Sequence, residues 1–188
     1  YSPVFTVLFA PFAYLPAWLG PFAWNLFNYS LFFMAIFTLP QQFTQQQKCR
    51  MFLFLLLILG QSLLSFQYNI TVAYLFLFAY TLLEKDRGFL AVLLIMISGC
   101  TKVYGIFELA LLLCYPHVWR NFGYAVTMGI VLLALPLIKI APADLLPYYE
   151  EWCHSLAVHQ SAGAYDSFFY ARPIAAWTLP HFRALQIG

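Results

Sequence analysis

The chain has 188 residues, of which 63% are hydrophobic and 9% are charged, and its formal net charge is +2. Soluble domains carry about 25% charged residues, so this composition excludes an ordinary soluble domain and indicates an integral membrane protein. The basic residues form no stripe of the kind that binds nucleic acid. Neither the cysteines nor the histidines have the spacing of a zinc site. We therefore expect no nucleic-acid partner, no metal ion and no cofactor.

The apolar runs are long and helix-like, unlike the short alternating segments of an outer-membrane barrel, and they predict an all-α, polytopic bundle of transmembrane helices. Residues 1–15 are apolar but fall short of the about 20 residues that a spanning helix needs. We predict a short re-entrant or interfacial helix there. Spans are predicted at the next three apolar runs, residues 17–39, 51–66 and 70–83. A polar linker at 40–50 and the turn Gln67-Tyr68-Asn69 separate them.

The apolar run at 89–115 contains only two charged side chains, Lys102 and Glu108. As one helix it would be about 40 Å long, against roughly 30 Å for the hydrocarbon core. Three loops are basic, at residues 48–50, 85–87 and 117–120. The positive-inside rule places all three in the cytoplasm, which requires the run to enter the membrane and return. We therefore predict a helical hairpin with Lys102 at its non-cytoplasmic end.

The last part of the chain is predicted to leave the membrane. A span at 122–140, kinked at Pro136, is followed by residues 142–160, which mix acidic side chains with Leu and Trp and predict an amphipathic helix. Trp152 is expected to contact lipid or the bundle, and Glu151 to be wetter. The chain begins at Tyr1 without a methionine, so we expect an internal fragment of one transmembrane domain. Its membrane helices occupy 1–141 and an extracytoplasmic segment 142–188.

Lys102 is the central candidate for a functional site. A cation at membrane depth is costly unless it is paired or reaches water, and Gly99 and Gly105 predict a helix break that exposes backbone polar groups. Lys102 therefore faces a polar cavity or an anion, or it snorkels to the interface. The predicted topology places further polar residues on the same side: Tyr1, Gln67, Asn69 and Tyr104. The amides have an alternative role as helix caps, and the tyrosines as interface anchors.

Four groups of residues, taken in order, resemble a known family. They are Tyr-Ser-Pro at 1–3 with Ala-Pro-Phe-Ala-Tyr-Leu-Pro at 10–16 and Trp-Asn-Leu-Phe-Asn at 24–28, Gln-Tyr-Asn at 67–69, Lys-Val-Tyr at 102–104, and Asp166-Ser167 followed by Arg172. This pattern resembles glycosyltransferase family 87 of the GT-C superfamily, which uses polyprenyl-phosphate sugars. The family's third motif ends in proline, and here Gly105 stands in its place.

The resemblance implies a multi-pass glycosyltransferase of the bacterial inner (plasma) membrane, active in building the cell envelope. It would move a hexose such as mannose from a polyprenyl-phosphate donor to a lipid-linked or glycan acceptor on the non-cytoplasmic side, among membrane lipids. The donor would contact the residues that match the motifs: Lys102, Tyr104, Gln67, Asn69, Tyr1, Ser167 and Arg172. The superfamily's catalytic base is an acidic residue in the first extracytoplasmic loop, which would precede Tyr1, so no residue of this chain is assigned that role.

Two other functions are compatible with an apolar helical chain. A secondary transporter also binds its substrate at broken helices, but it would carry an inverted repeat, and the sequence shows none. A non-enzymatic membrane protein would leave Lys102 without an anion.

Overall fold

The computed structural model describes residues 2–64 and 68–161, and every regular element in these ranges is a helix. The helices follow one another as α1 (Pro3–Ala13), α2 (Leu19–Phe37), α3 (Gln45–Leu64), α4 (Asn69–Glu84), α5 (Gly88–Thr101), a 3₁₀ helix (Val103–Cys114), α6 (Val118–Ala134), a 3₁₀ turn (Leu135–Ile138) and α7 (Pro142–Ser161). The predicted all-α class is confirmed.

The helices differ in whether they could cross a bilayer. Among the described residues, one helix, Val118–Ile138, is both long and apolar enough to do so. Four further apolar helices are shorter, namely Pro3–Ala13, Asn69–Glu84, Gly88–Thr101 and Val103–Cys114. This combination agrees with the prediction of a membrane bundle that includes short helices. The number of complete crossings stays a prediction.

The predicted linker at 40–50 is wrong in its second half, because α3 already begins at Gln45. Thr44 explains the early start. Its backbone N–H donates to the Gln47 side-chain oxygen at 2.8 Å, and the Gln47 N–H donates back to the Thr44 hydroxyl at 3.2 Å. This reciprocal pair is a capping box, which satisfies two backbone donors that a helix start leaves open. Polar composition alone suggested a loop where the chain has a capped helix.

Lys48 was predicted to mark a cytoplasmic loop, but its side chain is buried. The ammonium group donates to the carbonyl of Leu39 at 2.6 Å and to the carbonyl of Phe37 at 3.3 Å. Both carbonyls lie at the C-terminal end of α2, where a cation is favourable and terminal carbonyls need donors. Through these two hydrogen bonds, Lys48 connects the first turn of α3 to the C-terminal end of α2.

The run at 89–115 folds into the predicted hairpin. Its arms are α5 and the 3₁₀ helix, separated at Lys102, whose backbone is extended (φ −138°, ψ 119°). The arms run antiparallel, since Gly105 meets Ser98 at the tip, while at the far end the hydroxyl of Tyr115, after the second arm, donates to the carboxylate of Glu84, before the first. A 3₁₀ helix rises about 2.0 Å per residue, so its 12 residues span roughly the same length as the 14 residues of α5.

Three apolar clusters hold the helices together. The first joins α4, α5, the 3₁₀ helix and α6 around Ile95 and Leu112. The second joins α2 to α4 around Phe32 and Tyr74. The third packs α1 on α2 through Phe5, Trp24 and Tyr68, and α1 thereby lies next to the turn that precedes α4.

α6 begins earlier than the predicted span at 122–140, because the helix starts at Val118 and includes Arg120 in its first turn. Asn121, one residue further, is buried and its side-chain oxygen lies against Gly88 at the start of α5. The close approach of α5 and α6 at this point depends on the missing side chain of Gly88.

Gly88→Ala is therefore expected to destabilise the protein. The new Cβ would lie 2.5 Å from the Asn121 side-chain oxygen, and overpacking of this kind typically costs about 1–3 kcal/mol. Thermal unfolding in detergent measures the loss. Gly123→Ala is the matched control, because its Cβ would have no atom within 4 Å, and alanine there should be neutral or stabilising. Equal unfolding midpoints for the two variants would contradict the packing described.

α7 agrees in part with the amphipathic helix predicted at residues 142–160. Trp152 is half-buried, whereas Glu150 and Glu151 are exposed. The Tyr149 hydroxyl donates to the carbonyl of Leu133 at 2.9 Å, which ties α7 to the end of α6. Burial raises the pKa of Tyr149 to about 12, so this phenol remains a donor throughout the physiological pH range. The segment after residue 161 lies outside the described residues.

Candidate functional site

The structure describes three of the seven predicted donor-binding residues, Lys102, Tyr104 and Asn69, and brings them together at the tip of the hairpin. The other four, Tyr1, Gln67, Ser167 and Arg172, lie outside the described residues. The convergence is long-range in sequence, since 33 residues separate Asn69 from Lys102.

One side-chain oxygen is the centre of this cluster. The Lys102 ammonium donates to the Asn69 Oδ1 atom at 2.5 Å, and the Tyr104 hydroxyl donates to the same atom. The ammonium also lies 4.7 Å from the centroid of the Tyr104 ring, within the range of a cation–π interaction. A cation, an amide and a phenol therefore form one compact polar group.

Three helix ends create the cluster. Asn69 is the first residue of α4, Lys102 ends α5, and Tyr104 lies in the first turn of the 3₁₀ helix. Two backbone hydrogen bonds shape the tip, from the Lys102 N–H to the Ser98 carbonyl at 2.9 Å and from the Gly105 N–H to the Lys102 carbonyl at 2.8 Å. The C-terminus of α5 favours a cation and the N-terminus of α4 favours an anion. A negatively charged group beside Lys102 would be stabilised by the ammonium group and by the N-terminus of α4.

The start of α1 is fastened to the same tip through Ser2. The Ser2 N–H donates to the Thr101 carbonyl at 3.4 Å, and its hydroxyl donates to the Cys100 carbonyl. The same hydroxyl accepts from the Phe5 N–H and so caps α1. Sequence reasoning missed this role of Ser2. The available signal was a serine immediately before a proline, which is a common helix start.

An apolar cavity of about 420 Å³ opens near the start of α4. Its walls come from α1, α2, α4 and α5, and aromatic rings dominate them: Phe5, Phe9, Phe12, Trp24 and Tyr68. Tyr68 directly precedes Asn69, so the wall of the cavity adjoins the polar cluster. Ligand pockets in proteins commonly have volumes of about 300–1,000 Å³ and combine apolar walls with a few polar groups. The arrangement suits a ligand with an anionic head and an apolar body.

A second polar pair lies inside the hairpin, one turn from the tip. The Ser98 hydroxyl donates to the Glu108 Oε1 atom at 2.8 Å, and Ser98 is fully buried. The other carboxyl oxygen, Oε2, is buried and has no hydrogen-bond partner among the described residues. Sequence reasoning noted Glu108 only as a charge. The spacing of three between Gly105 and Glu108 becomes informative once the arm is known to be a 3₁₀ helix.

The described side chains show no arrangement for a metal ion, since no three His, Cys, Asp or Glu residues of residues 2–64 and 68–161 come together. The four cysteines are free thiols.

Comparison with known proteins adds one finding. The family model described as Glycosyltransferase family 87 matches residues 1–185, nearly the whole chain. Neither a curated protein nor a solved structure matches it.

Proposed function

Because the chain belongs to glycosyltransferase family 87, a family of membrane proteins, we propose that it takes its sugar, a hexose such as mannose, from a polyprenyl phosphate. The acceptor is a lipid-linked molecule or a glycan on the non-cytoplasmic side of a bacterial inner membrane, which the chain crosses several times. The observation that supports this proposal best is the contact of Lys102 and Tyr104 with Asn69 beside an apolar cavity.

The polar cluster supports a phosphate as the anionic head of the donor. An ammonium group is a compact point charge that binds phosphate well, and a helix N-terminus such as that of α4 presents backbone N–H groups to anions. Lys102 already donates to a neutral amide oxygen. A phosphate oxygen is a stronger acceptor for a charged donor, so a donor phosphate would compete well for the ammonium.

The apolar cavity supports a polyprenyl group as the body of the donor. A nucleotide sugar would bring a ribose and a base, which need polar partners, whereas the cavity walls are mainly phenylalanine, tryptophan and aliphatic side chains. An isoprenoid chain needs only apolar contact. The first isoprene units would lie between α1 and α2 with the phosphate at Lys102.

The proposed chemistry divides the work between this site and a base. The acceptor hydroxyl attacks the anomeric carbon as a carboxylate takes its proton, and the bond from that carbon to the phosphate oxygen breaks. Lys102 stabilises the charge that the leaving phosphate gains. The resemblance assigns the base to a loop that would precede Tyr1, and we assign none of the described residues to that role.

Donor preference tests the proposal directly. The purified complete protein, in nanodiscs, is given the same radiolabelled hexose either on a polyprenyl phosphate or on a nucleoside diphosphate. Transfer is expected from the polyprenyl donor alone. Transfer from the nucleotide sugar alone would overturn the proposed donor while leaving the family assignment intact.

Sidedness is a separate prediction, because the positive-inside rule places the basic residues at 48–50 inside and the hairpin tip outside. In a background without the native cysteines, Val103→Cys is expected to react with a membrane-impermeant maleimide in intact cells. Gln46→Cys, which is also exposed, should react only after permeabilisation. Labelling of both positions from the same side would show that the predicted topology is wrong.

A further inference from the structure

The Ser98–Glu108 pair sits where the two arms of the hairpin touch, and its contacts lead directly to the site. The fully buried Ser98 donates its hydroxyl to Glu108 at 2.8 Å, and its own carbonyl accepts from the Lys102 N–H at 2.9 Å. The same carbonyl is pressed against Gly105, where a Cβ would lie 2.7 Å from the carbonyl oxygen. One residue of α5 therefore contacts both the lysine backbone and the second arm.

Because the second arm is a 3₁₀ helix, this contact determines which of its side chains face α5. With three residues per turn, side chains three apart lie directly above one another, so Gly105 and Glu108 form one row that faces α5. Gly105 gives the row its close approach, and Glu108 gives it a directed hydrogen bond. A slip of one residue would rotate the arm by about 120° and would carry the Tyr104 hydroxyl away from Asn69.

Packing alone does not account for a carboxyl group here. A leucine of similar size would be buried without penalty, whereas a carboxyl needs partners for both oxygens. Oε1 has Ser98, and Oε2 is buried with no hydrogen-bond partner among the described residues. The Glu108 side chain therefore provides a directed hydrogen bond, whereas the burial of its carboxyl group costs free energy.

We propose that Glu108 is a positioning residue for the site. Its hydrogen bond with Ser98 fixes the register of the 3₁₀ helix on α5 and so holds Lys102 and Tyr104 at Asn69. The inference rests on the proposed function only in its consequence for donor binding, because the register itself is a property of the hairpin.

The activity test compares two replacements of Glu108 in the complete protein. Glu108→Leu is expected to raise the KM for the polyprenyl-phosphate donor by roughly tenfold, the effect of about one lost hydrogen bond, with kcat changed less. Glu108→Gln keeps an acceptor oxygen and should recover most of the affinity. Ser98→Ala should match Glu108→Leu, and the double variant should be no worse than either, because both remove the same bond.

Thr127→Ala is the matched control for the loss of a hydroxyl. Its side chain donates to the carbonyl of Gly123 within α6, away from the hairpin, and the donor KM should not change. A merely structural role for Glu108 would lower the amount of active protein, and hence the apparent kcat, while the donor KM stays constant. That result, or an equal KM for Glu108→Leu and Glu108→Gln, would overturn the proposal.

A second measurement needs no catalysis. Lys102 is modified with an amine-reactive reagent in the absence of donor, and the rate is read by mass spectrometry. Glu108→Leu and Ser98→Ala should each increase the rate at Lys102 several-fold, with no change at the exposed Lys85. If polyprenyl phosphate proves not to be the donor and labelling still increases, the proposed function fails and the positioning role stands. Unchanged labelling removes the positioning role. If Glu108→Leu does not accumulate, Ser98→Ala decides the question.

Discussion

Lys102→Met is expected to lower transfer from a polyprenyl-phosphate donor by roughly ten- to a hundredfold. Methionine keeps the length of the side chain and removes its charge. A hydrogen bond to a charged group contributes about 1.5–3 kcal/mol, and 1.4 kcal/mol corresponds to about a tenfold change in affinity. The assay is transfer of radiolabelled hexose by the purified complete protein in nanodiscs. Folding and membrane insertion should be unaffected, since the apolar replacement is easier to bury.

Two further lysine variants sharpen this result. Lys102→Arg should recover only part of the activity, because a planar guanidinium is wider than an ammonium and offers a different geometry. Lys85→Met is the control, since Lys85 is exposed in the loop between α4 and α5 and should have little influence. If Lys102→Met keeps the turnover and donor affinity of the wild type, the site has no role in the mechanism. Lys102 would then only extend its side chain to the membrane interface.

Among single Gly→Ala substitutions in the hairpin, Gly105→Ala is expected to lower the stability of the protein most. The added Cβ would lie 2.5 Å from the Ser98 hydroxyl, 2.6 Å from its carbonyl carbon and 2.7 Å from its carbonyl oxygen. Two of these atoms are backbone and cannot move aside without separating the arms. We expect a loss of about 3 kcal/mol, or roughly 6–12 °C in the midpoint of thermal unfolding.

A graded series of glycine variants tests the cause of that loss. At Gly99 the added Cβ would lie 3.2 Å from the Ile106 backbone, and at Gly123 nothing lies within 4 Å. Stability should therefore fall in the order Gly123→Ala, Gly99→Ala, Gly105→Ala, as measured by thermal unfolding in one detergent. A Gly105→Ala protein as stable as Gly123→Ala would mean that the arms are not packed as described.

The sequence predicted the hairpin because charge is scarce in this chain. The basic loops predicted the direction of each crossing, and the single lysine between them predicted the point of return. Lys102 was identified for the same reason, whereas Asn69 and Tyr104 were chosen because the predicted topology placed them on the same side and because they match the family's motifs. Their contact with one another depends on the packing of α4 against α5, which no local pattern encodes.

Other features could not be read from the sequence because they depend on local geometry. Composition does not distinguish an α-helix from a 3₁₀ helix, so the row of Gly105 and Glu108 was invisible. Lys48 looked like a solvated loop residue, but the long stem of a lysine lets a buried side chain place its ammonium at terminal carbonyls. The glycine at 105 replaces a proline of the family pattern. Proline would lose the N–H bond to the Lys102 carbonyl.

The distances along the chain between contacting residues imply an order of folding. Lys48 reaches carbonyls only 9 and 11 residues away, and Glu108 reaches Ser98 across 10 residues. Lys102 meets Asn69 across 33 residues, and Ser2 meets Cys100 across 98. Closing a longer loop costs more entropy and is slower. The corner of α2 and α3 and the hairpin can therefore form early during synthesis, whereas the attachment of α1 to the hairpin tip closes last. A chain stalled before that step would contain its helices and its polar cluster but would lack the apolar cavity that α1 helps to line.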